Sequence, residues 1–266
     1  MSAQVAAFFD LDGTLLPRPS LERRFFRMLL YRREIPWKNY FFWLREALNL
    51  LPRGIRVVRQ ADKMYLSGVK SFDKSCTGKP SDSSVREGGH QEEGQARKPP
   101  KHNPRSPVLR FFEEGVERVA CHAMLGHTIV IVSGTLEPLA MAAAHALEAE
   151  IAALGFSRKI RVYATQLEEG NGRWTGQILG EPMSGEAKAR VVAAFAREMH
   201  LDLSRCWAYG DSAEDRSMLA AVGHPVAVNP ESPLRRIARK KGWPILRTTN
   251  RLLKTQPLVP QTERCA

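Results

Sequence analysis

Apolar residues fall in short unbroken runs along this chain, and each run ends abruptly in polar or small residues. VAAFFD at residues 5–10, TIVIVSG at 128–134, RCWAYGDS at 205–212 and HPVAVN at 224–229 all have this form. Runs of this length without polar alternation predict strands covered on both faces, as in a parallel sheet. The segments between them keep a helical spacing instead. SLERRFFRMLLYRREIPWKNYFFWLREALNLLPRGIRVVRQADKMYLSG, residues 20–68, predicts two or three amphipathic helices divided by Pro36 and Pro52, with Ser20 placed to cap the first. Further helices are predicted over 108–127, ended by Gly126, and over 137–155, 184–200 and 213–223; another helix and a short WPIL strand follow. Within 160–180, strand-like stretches flank Asn171-Gly172, the dipeptide suited to a type I′ hairpin. Strand and helix alternate, so the expected fold is α/β: a parallel sheet with helices on both faces.

One segment breaks this pattern. Residues 71–107 are rich in Gly, Pro, Ser and mixed charge with almost nothing to bury, and a disordered insertion is expected at about 71–107.

At 266 residues and 43% hydrophobic, the chain can hold one large α/β domain or a core with a smaller insert. Cys76, Cys121, Cys206 and Cys265 lie far apart without a C-x-x-C pair, which points away from a disulfide framework or zinc site and toward reduced thiols. No window resembles a leader or an uninterrupted membrane span, so a soluble, cytoplasmic protein is expected. The net charge of +12 is unevenly spread. Residues 16–59 hold eleven Lys/Arg against Glu22, Glu34 and Glu46, a balance of +8, interleaved with aromatics from Phe25 to Trp43. Those aromatics are read as an internal core and not as a binding platform.

In an open parallel sheet, ligands sit beyond the carboxyl ends of the strands, and polar groups gather there in this chain. The first run ends in Asp10 and Asp12, the second in Ser133-Gly134-Thr135, and the third in Gly210-Asp211-Ser212, with Asp215 one helical turn on; Lys188 lies between the last two sites. Four converging carboxylates need a cation, or some must stay protonated. Oxygen ligands without Cys or His favour a hard ion such as Mg²⁺.

DLDGT, VSG, Lys188 and GDSAED, in this order, resemble the four motifs of the haloacid dehalogenase-like phosphatase superfamily, most closely its phosphoserine-phosphatase-like branch (subfamily IB). The resemblance covers roughly residues 4–70 and 108–247. It implies a Rossmann-like core at 1–15 and 116–250, a small helical cap at 16–115 inserted between the first and second motifs, and a tail at 251–266. It also implies Mg²⁺ dependence and phosphomonoester hydrolysis. By the same resemblance Asp10 is the nucleophile that forms an aspartyl-phosphate, Asp12 the general acid and base, Ser133 and Gly134 the phosphate-oxygen donors, and Lys188 the neutralising cation. The metal set is Asp10, Asp12, Asp211 and Asp215.

Phosphoserine phosphatases are similar to one another in an acidic residue soon after the first motif. LLPRPSLERR has Arg18 and prolines there, with Glu22 only later. A small organic phosphate that is anionic or partly apolar fits this basic, aromatic cap better than phosphoserine. The alternative is a weakly active or inactive relative that binds nucleic acid or anionic membrane through the cap; filled catalytic positions argue against it. The expected partner is therefore a small phosphate ester, with peripheral contact to anionic membrane and not nucleic acid. Gly170, Gly172 and Gly176 are read as hairpin glycines and not a dinucleotide loop, and His122 and His127 as surface or helix-end groups.

Overall fold

A computed structural model describes residues 4–50, 52, 63–71, 109–249 and 251–253. Its first half contains β1 (Ala6–Phe9), α1 (Leu21–Arg32), α2 (Trp37–Leu50), α3 (Glu113–Met124), β2 (Thr128–Leu136) and α4 (Glu137–Ala153). There follow β3 (Ile160–Thr165), β4 (Leu167–Gly170), β5 (Arg173–Ile178), α5 (Glu186–Glu198), β6 (Trp207–Gly210), α6 (Arg216–Ala220), β7 (His224–Val228), α7 (Ser232–Lys241) and β8 (Ile245–Leu246).

Six strands form one sheet in the order β3-β2-β1-β6-β7-β8, and every pairing is parallel. Alternate residues of β1 serve different cores. Ala7 and Phe9 pack with Val116 and Val119 of α3 and Leu139 and Leu147 of α4. Ala6 and Phe8 face the opposite layer, with Val192 and Phe195 of α5, Met218 of α6 and Leu234 of α7. Helices therefore cover both faces of a Rossmann-like sheet, as the unbroken apolar runs predict.

Three predicted elements differ. The helix expected from residue 108 begins only at Glu113. Residues 109–112 are held extended, because Leu109 and Phe111 are buried and the Phe112 N–H donates to Leu15 O at 2.9 Å. The stretch IRVYAT is edge strand β3 of the main sheet and not a hairpin arm; Arg161 is exposed there, so no unbroken apolar run marks it. The helix expected over 213–223 is a 3-10 turn, Ala213–Asp215, followed by five helical residues. The insertion read at about 71–107 lies, apart from Ser71, outside the described residues.

Above the sheet, Ser20 caps α1, its Oγ accepting the Arg23 N–H at 3.3 Å. α2 is fixed on the 3-10 turn Met64–Leu66, where Asn39 Nδ2 donates to Tyr65 O at 3.1 Å and Ser67 O at 2.6 Å. The hairpin β4–β5 turns at Asn171 (φ 52°) and Gly172 (φ 69°), both left-handed as a type I′ turn requires. β5 is stitched to the cap: Lys63 N–H donates to Gly176 O at 2.7 Å, Gly68 N–H to Trp174 O at 2.8 Å, and Trp174 N–H to Val69 O at 3.0 Å. Gly176 permits this approach, since a Cβ there would sit 2.9 Å from Met64 Cα.

Two readings of side-chain placement need correction. Phe25 is buried and Phe26 packs against the core, but Trp37 (76% exposed), Phe41 (65%), Leu44 (52%) and Leu48 (59%) lie on the surface of α2. Their spacing of four, three and four residues makes one outward stripe. His122, expected as a surface or helix-end group, lies in the last turn of α3 but is buried there; its Nε2 lies 2.8 Å from Tyr209 Oη and its Nδ1 2.8 Å from His127 Nδ1. Burial, the His127 charge and Arg118 hold His122 down to about 4.

Core and stripe carry opposite expectations. Phe195→Ala, which removes the ring set edge-on against Phe8, should cost about 3–5 kcal/mol in urea unfolding. Phe41→Ala should change stability by no more than about 0.5 kcal/mol, and a larger loss would mean that the stripe is structurally buried.

Candidate active site

The carboxyl ends of β1, β2 and β6 meet at one point above the sheet. Asp10 follows β1, and its N–H donates to Tyr209 O at 3.0 Å, continuing the β1–β6 pairing by one residue. Asp211 follows β6 directly, and Asp215 ends the next 3-10 turn. One carboxylate oxygen from each of Asp10, Asp211 and Asp215 lies within 4.8 Å of the others, and all three residues are buried. Such proximity between anions needs local opposition.

Lys188, on the first turn of α5, supplies part of it. Its Nζ donates to Asp10 Oδ1 and to Asp215 Oδ1, each at 2.6 Å, and the side chain is buried. Asp215 Oδ2 accepts the Asp211 N–H at 3.2 Å, the Ser212 N–H at 2.9 Å and the Ser212 hydroxyl at 2.9 Å, closing a capping box. Asp215 is thus occupied on both oxygens. Arg18 approaches from the other side, donating to Asp211 Oδ2 at 2.7 Å and pairing with Glu231.

Two glycines make room. A Cβ on Gly13 (φ +91°) would collide with Asp211 Oδ2, and one on Gly210 would collide with the Asp215 side chain. Ser133 is buried in β2 where its regular pairing with β3 breaks, and its Oγ accepts the Thr135 N–H at 3.3 Å; Gly134 is exposed beside it, and its carbonyl accepts from Thr165 Oγ1 at 2.9 Å. Asp12 lies outside the group of three. Its Oδ1 accepts the Leu21 N–H at 2.7 Å and so receives the start of α1.

Burial dominates the electrostatics. It pushes the Asp10 carboxyl well above the usual range; Lys188 draws it back, while Asp215 and Asp211 add to the rise. Burial raises Asp12 to about 6, against the Leu21 N–H. Burial and then the Asp215 charge raise Asp211 to about 7, against Arg18. For Lys188 burial works against the charge, yet Asp10 and Asp215 outweigh it and hold the ammonium above the ordinary lysine value. The three clustered carboxylates therefore exceed the charge Lys188 can compensate. Their all-oxygen donor set fits a hard divalent cation such as Mg²⁺.

Some relevant groups escape sequence reading. The Thr14 and Thr135 hydroxyls are buried without a hydrogen-bond partner among the described residues. Arg18 on Asp211 and the pairing of Arg18 with Glu231 join positions far apart in the chain, which no local pattern records. The positive φ at Gly13 and the crowding at Gly210 are legible only as glycines beside aspartates.

A strand-tip carboxylate, a buried lysine and a second acidic pair on a Rossmann-like sheet define a hydrolase of the haloacid dehalogenase-like family. The family's model matches residues 7–220, and the chain belongs to that family. Within it the chain is a phosphatase of the phosphoserine-phosphatase-like branch. It is 29% identical over 252 residues to a probable phosphatase of Mycobacterium tuberculosis, covering 92% of this chain and 75% of that one. It is 31% identical over 240 residues to a phosphoserine phosphatase of the same organism, covering 90% and 70%. A Bordetella pertussis protein of unknown function shares its fold with a TM-score of 0.61 at 22% identity, over 92% of this chain and 99% of that one. A substrate-bound phosphoserine phosphatase matches with a TM-score of 0.52 at 13% identity, over 92% and 94%.

The raised acids give a signed expectation. Between the unfolded value of 3.8 and the folded values of about 6 for Asp12 and about 7 for Asp211, the folded protein binds more protons. Their contribution to metal-free stability therefore falls as pH rises through that window. His122 contributes the opposite slope, its stability being lost as pH falls toward about 4. Mg²⁺ should raise the melting temperature more at about pH 7.5 than at about pH 5, a difference in which His122 cancels. Asp211→Asn should stabilise the metal-free protein at the higher pH and abolish the Mg²⁺ response; equal Mg²⁺ shifts at both pH values would refute this account.

Proposed function

We propose that the chain hydrolyses a small organic phosphate monoester through an aspartyl-phosphate on Asp10, with Mg²⁺ held by Asp10 and Asp211 beside Asp215. The reading is carried by the convergence of three carboxylate oxygens within 4.8 Å, with Lys188 hydrogen-bonded to two of the three residues. Bound there, the cation would neutralise charge on the carboxylates and on a non-bridging phosphoryl oxygen.

The chain's own groups divide the remaining work. An Asp10 carboxylate oxygen attacks phosphorus while the bond from phosphorus to the ester oxygen breaks. Asp12 gives its proton to that leaving oxygen. In the second half Asp12, now ionised, takes a proton from water as the water oxygen attacks phosphorus and the Asp10 carboxylate departs. A value of about 6 suits a group that must be both acid and base near neutrality. Ser133 Oγ and the Gly134 N–H bind phosphoryl oxygens, and the unpartnered Thr14 and Thr135 hydroxyls lie in the loop after β1 and near the end of β2. Lys188 favours the ionised form of Asp10 against its burial, as a bound cation would, and offsets the phosphoryl charge. Asp215 fixes Lys188 and the Asp211 and Ser212 backbone, and meets the ion through its remaining lone pairs or through water.

With Mg²⁺ present, Asp10→Asn should lower turnover of a chromogenic phosphate ester at least about 10³-fold, since the covalent route is gone. Asp12→Asn should lose about 10²–10⁴-fold on an alkyl phosphate and less on a nitrophenyl ester, whose leaving oxygen needs no proton. Equal losses on both esters would remove Asp12 as the acid; an active Asp10→Asn would remove the mechanism.

The α2 stripe supports a second property, peripheral contact with anionic membrane. Trp37, Phe41, Leu44 and Leu48 are exposed on one side of a helix that also carries Lys38 and Arg45, inside the segment of charge +8. The protein should sediment with phosphatidylserine vesicles and not with phosphatidylcholine vesicles. Binding should weaken with salt and be lost in a Trp37→Glu, Phe41→Glu double variant; retention by that variant would exclude the stripe.

A further inference from the structure

Beside Asp211 and Gly13 lies a cavity of about 490 Å³ whose wall includes Arg18, Asn229, Arg235, Arg247 and Thr248. These residues come from three places in the chain: the loop after β1, the β7–α7 connection with its helix, and the segment after β8. The wall is built. Asn229 (φ 41°) donates from Nδ2 to Thr248 Oγ1 at 2.8 Å and accepts the Thr248 N–H on Oδ1 at 2.9 Å, so the ends of β7 and β8 are locked together. Arg235 is held by a bond from its guanidinium to Pro230 O at 3.0 Å.

The charges do not balance. Arg18 is answered by Asp211 and Glu231, and Asp211 is itself a ligand of the proposed cation. Arg235 and Arg247 have no carboxylate within ion-pair distance among the described residues. A second cavity of about 280 Å³ continues the same character along α7, between Arg235, Arg236 and Arg239. A concave wall carrying unanswered guanidinium groups, sharing Asp211 with the phosphoryl site, is complementary to an anion attached to the same substrate.

We propose that this cavity receives a second phosphoryl group, so that the preferred substrates are organic bisphosphates and not simple monophosphates. This rests on the phosphatase reading above and narrows it to a substrate class. Guanidinium groups arriving from separate elements, with a threonine hydroxyl among them, offer donors to several oxygens at once, which suits a tetrahedral phosphoryl group better than a planar carboxylate. The same arginines repel the ammonium of an amino-acid phosphate. Arg235 and Arg247 act in specificity and touch no reacting atom.

The test uses straight-chain α,ω-alkanediol bisphosphates of increasing length against the matching monophosphates, with p-nitrophenyl phosphate as an ester that leaves the cavity empty. In the wild type, at least one chain length should show kcat/KM about tenfold or more above its monophosphate. In Arg235→Met, Arg247→Met that preference should disappear, mainly through KM, while p-nitrophenyl phosphate turnover stays within about twofold. No preference at any length, or equal losses on all esters, would overturn the proposal. Should no ester be hydrolysed at all, the phosphatase reading fails instead. The cavity is then decided by calorimetry of the same bisphosphates and monophosphates with Asp10→Asn protein, where equal affinities would sink it.

Discussion

The buried ammonium of Lys188 is the interaction on which the rest of this molecule depends. Asp10 and Asp215 both lose water on folding, and each unpaired buried carboxylate would cost several kcal/mol. A single Nζ at 2.6 Å from both makes their coexistence tolerable. It cannot extend the same service to Asp211, whose other oxygen is met by Arg18. The cluster therefore carries more negative charge than its buried lysine can offset, a donor set that suits a divalent ion better than a closed structural ion pair.

The fold supplies the positions this charge pattern needs. Central strands β1 and β6 end side by side, so Asp10 and Asp211 arrive close together above the sheet, and α5 delivers Lys188 between Asp10 and Asp215. The two-sided core beneath, with Phe8 and Phe9 turned into opposite layers, fixes the height at which β1 ends. Gly13 and Gly210 remove the atoms that would keep the loops apart. Above, the cap is tied to hairpin β4–β5 by backbone bonds from Lys63 to Ser71, so the covering layer is joined to the chain on both sides of the second motif.

Much of this was legible in the amino-acid order, because it rests on local signals. Unbroken apolar runs betrayed β1, β2, β6 and β7, since strands covered on both faces leave no room for polar residues. Asn171-Gly172 gave the hairpin because both φ angles must be positive there. What escaped depends on contacts between distant segments. β3 is an edge strand whose exposed Arg161 disguised it, and the segment before α3 is held out of the helix by distant partners, Leu15 O for the Phe112 N–H and the Leu253 N–H for Phe111 O. The outward stripe of α2 looked like core, since periodicity tells that a helix has an apolar side without telling what covers it. The burial of His122 at its helix end escaped for the same reason: its partner, Tyr209, is 87 residues away. The candidate site itself was visible as an ordered set of strand-end aspartates, while Arg18, Asn229 and Thr248, joined by long-range pairs, were not visible as neighbours.

The place of β1 has a consequence for how the molecule is made. This strand precedes every other strand of the sheet along the chain, yet its neighbours, β2 and β6, begin at Thr128 and Trp207. Its edge toward β2 waits for residue 128 and its edge toward β6 for residue 207, an interval in which α1 and α2 can form from local contacts alone. Assembly of the sheet thus waits on its latest central member, and until that member arrives the apolar strand keeps one edge without its partner.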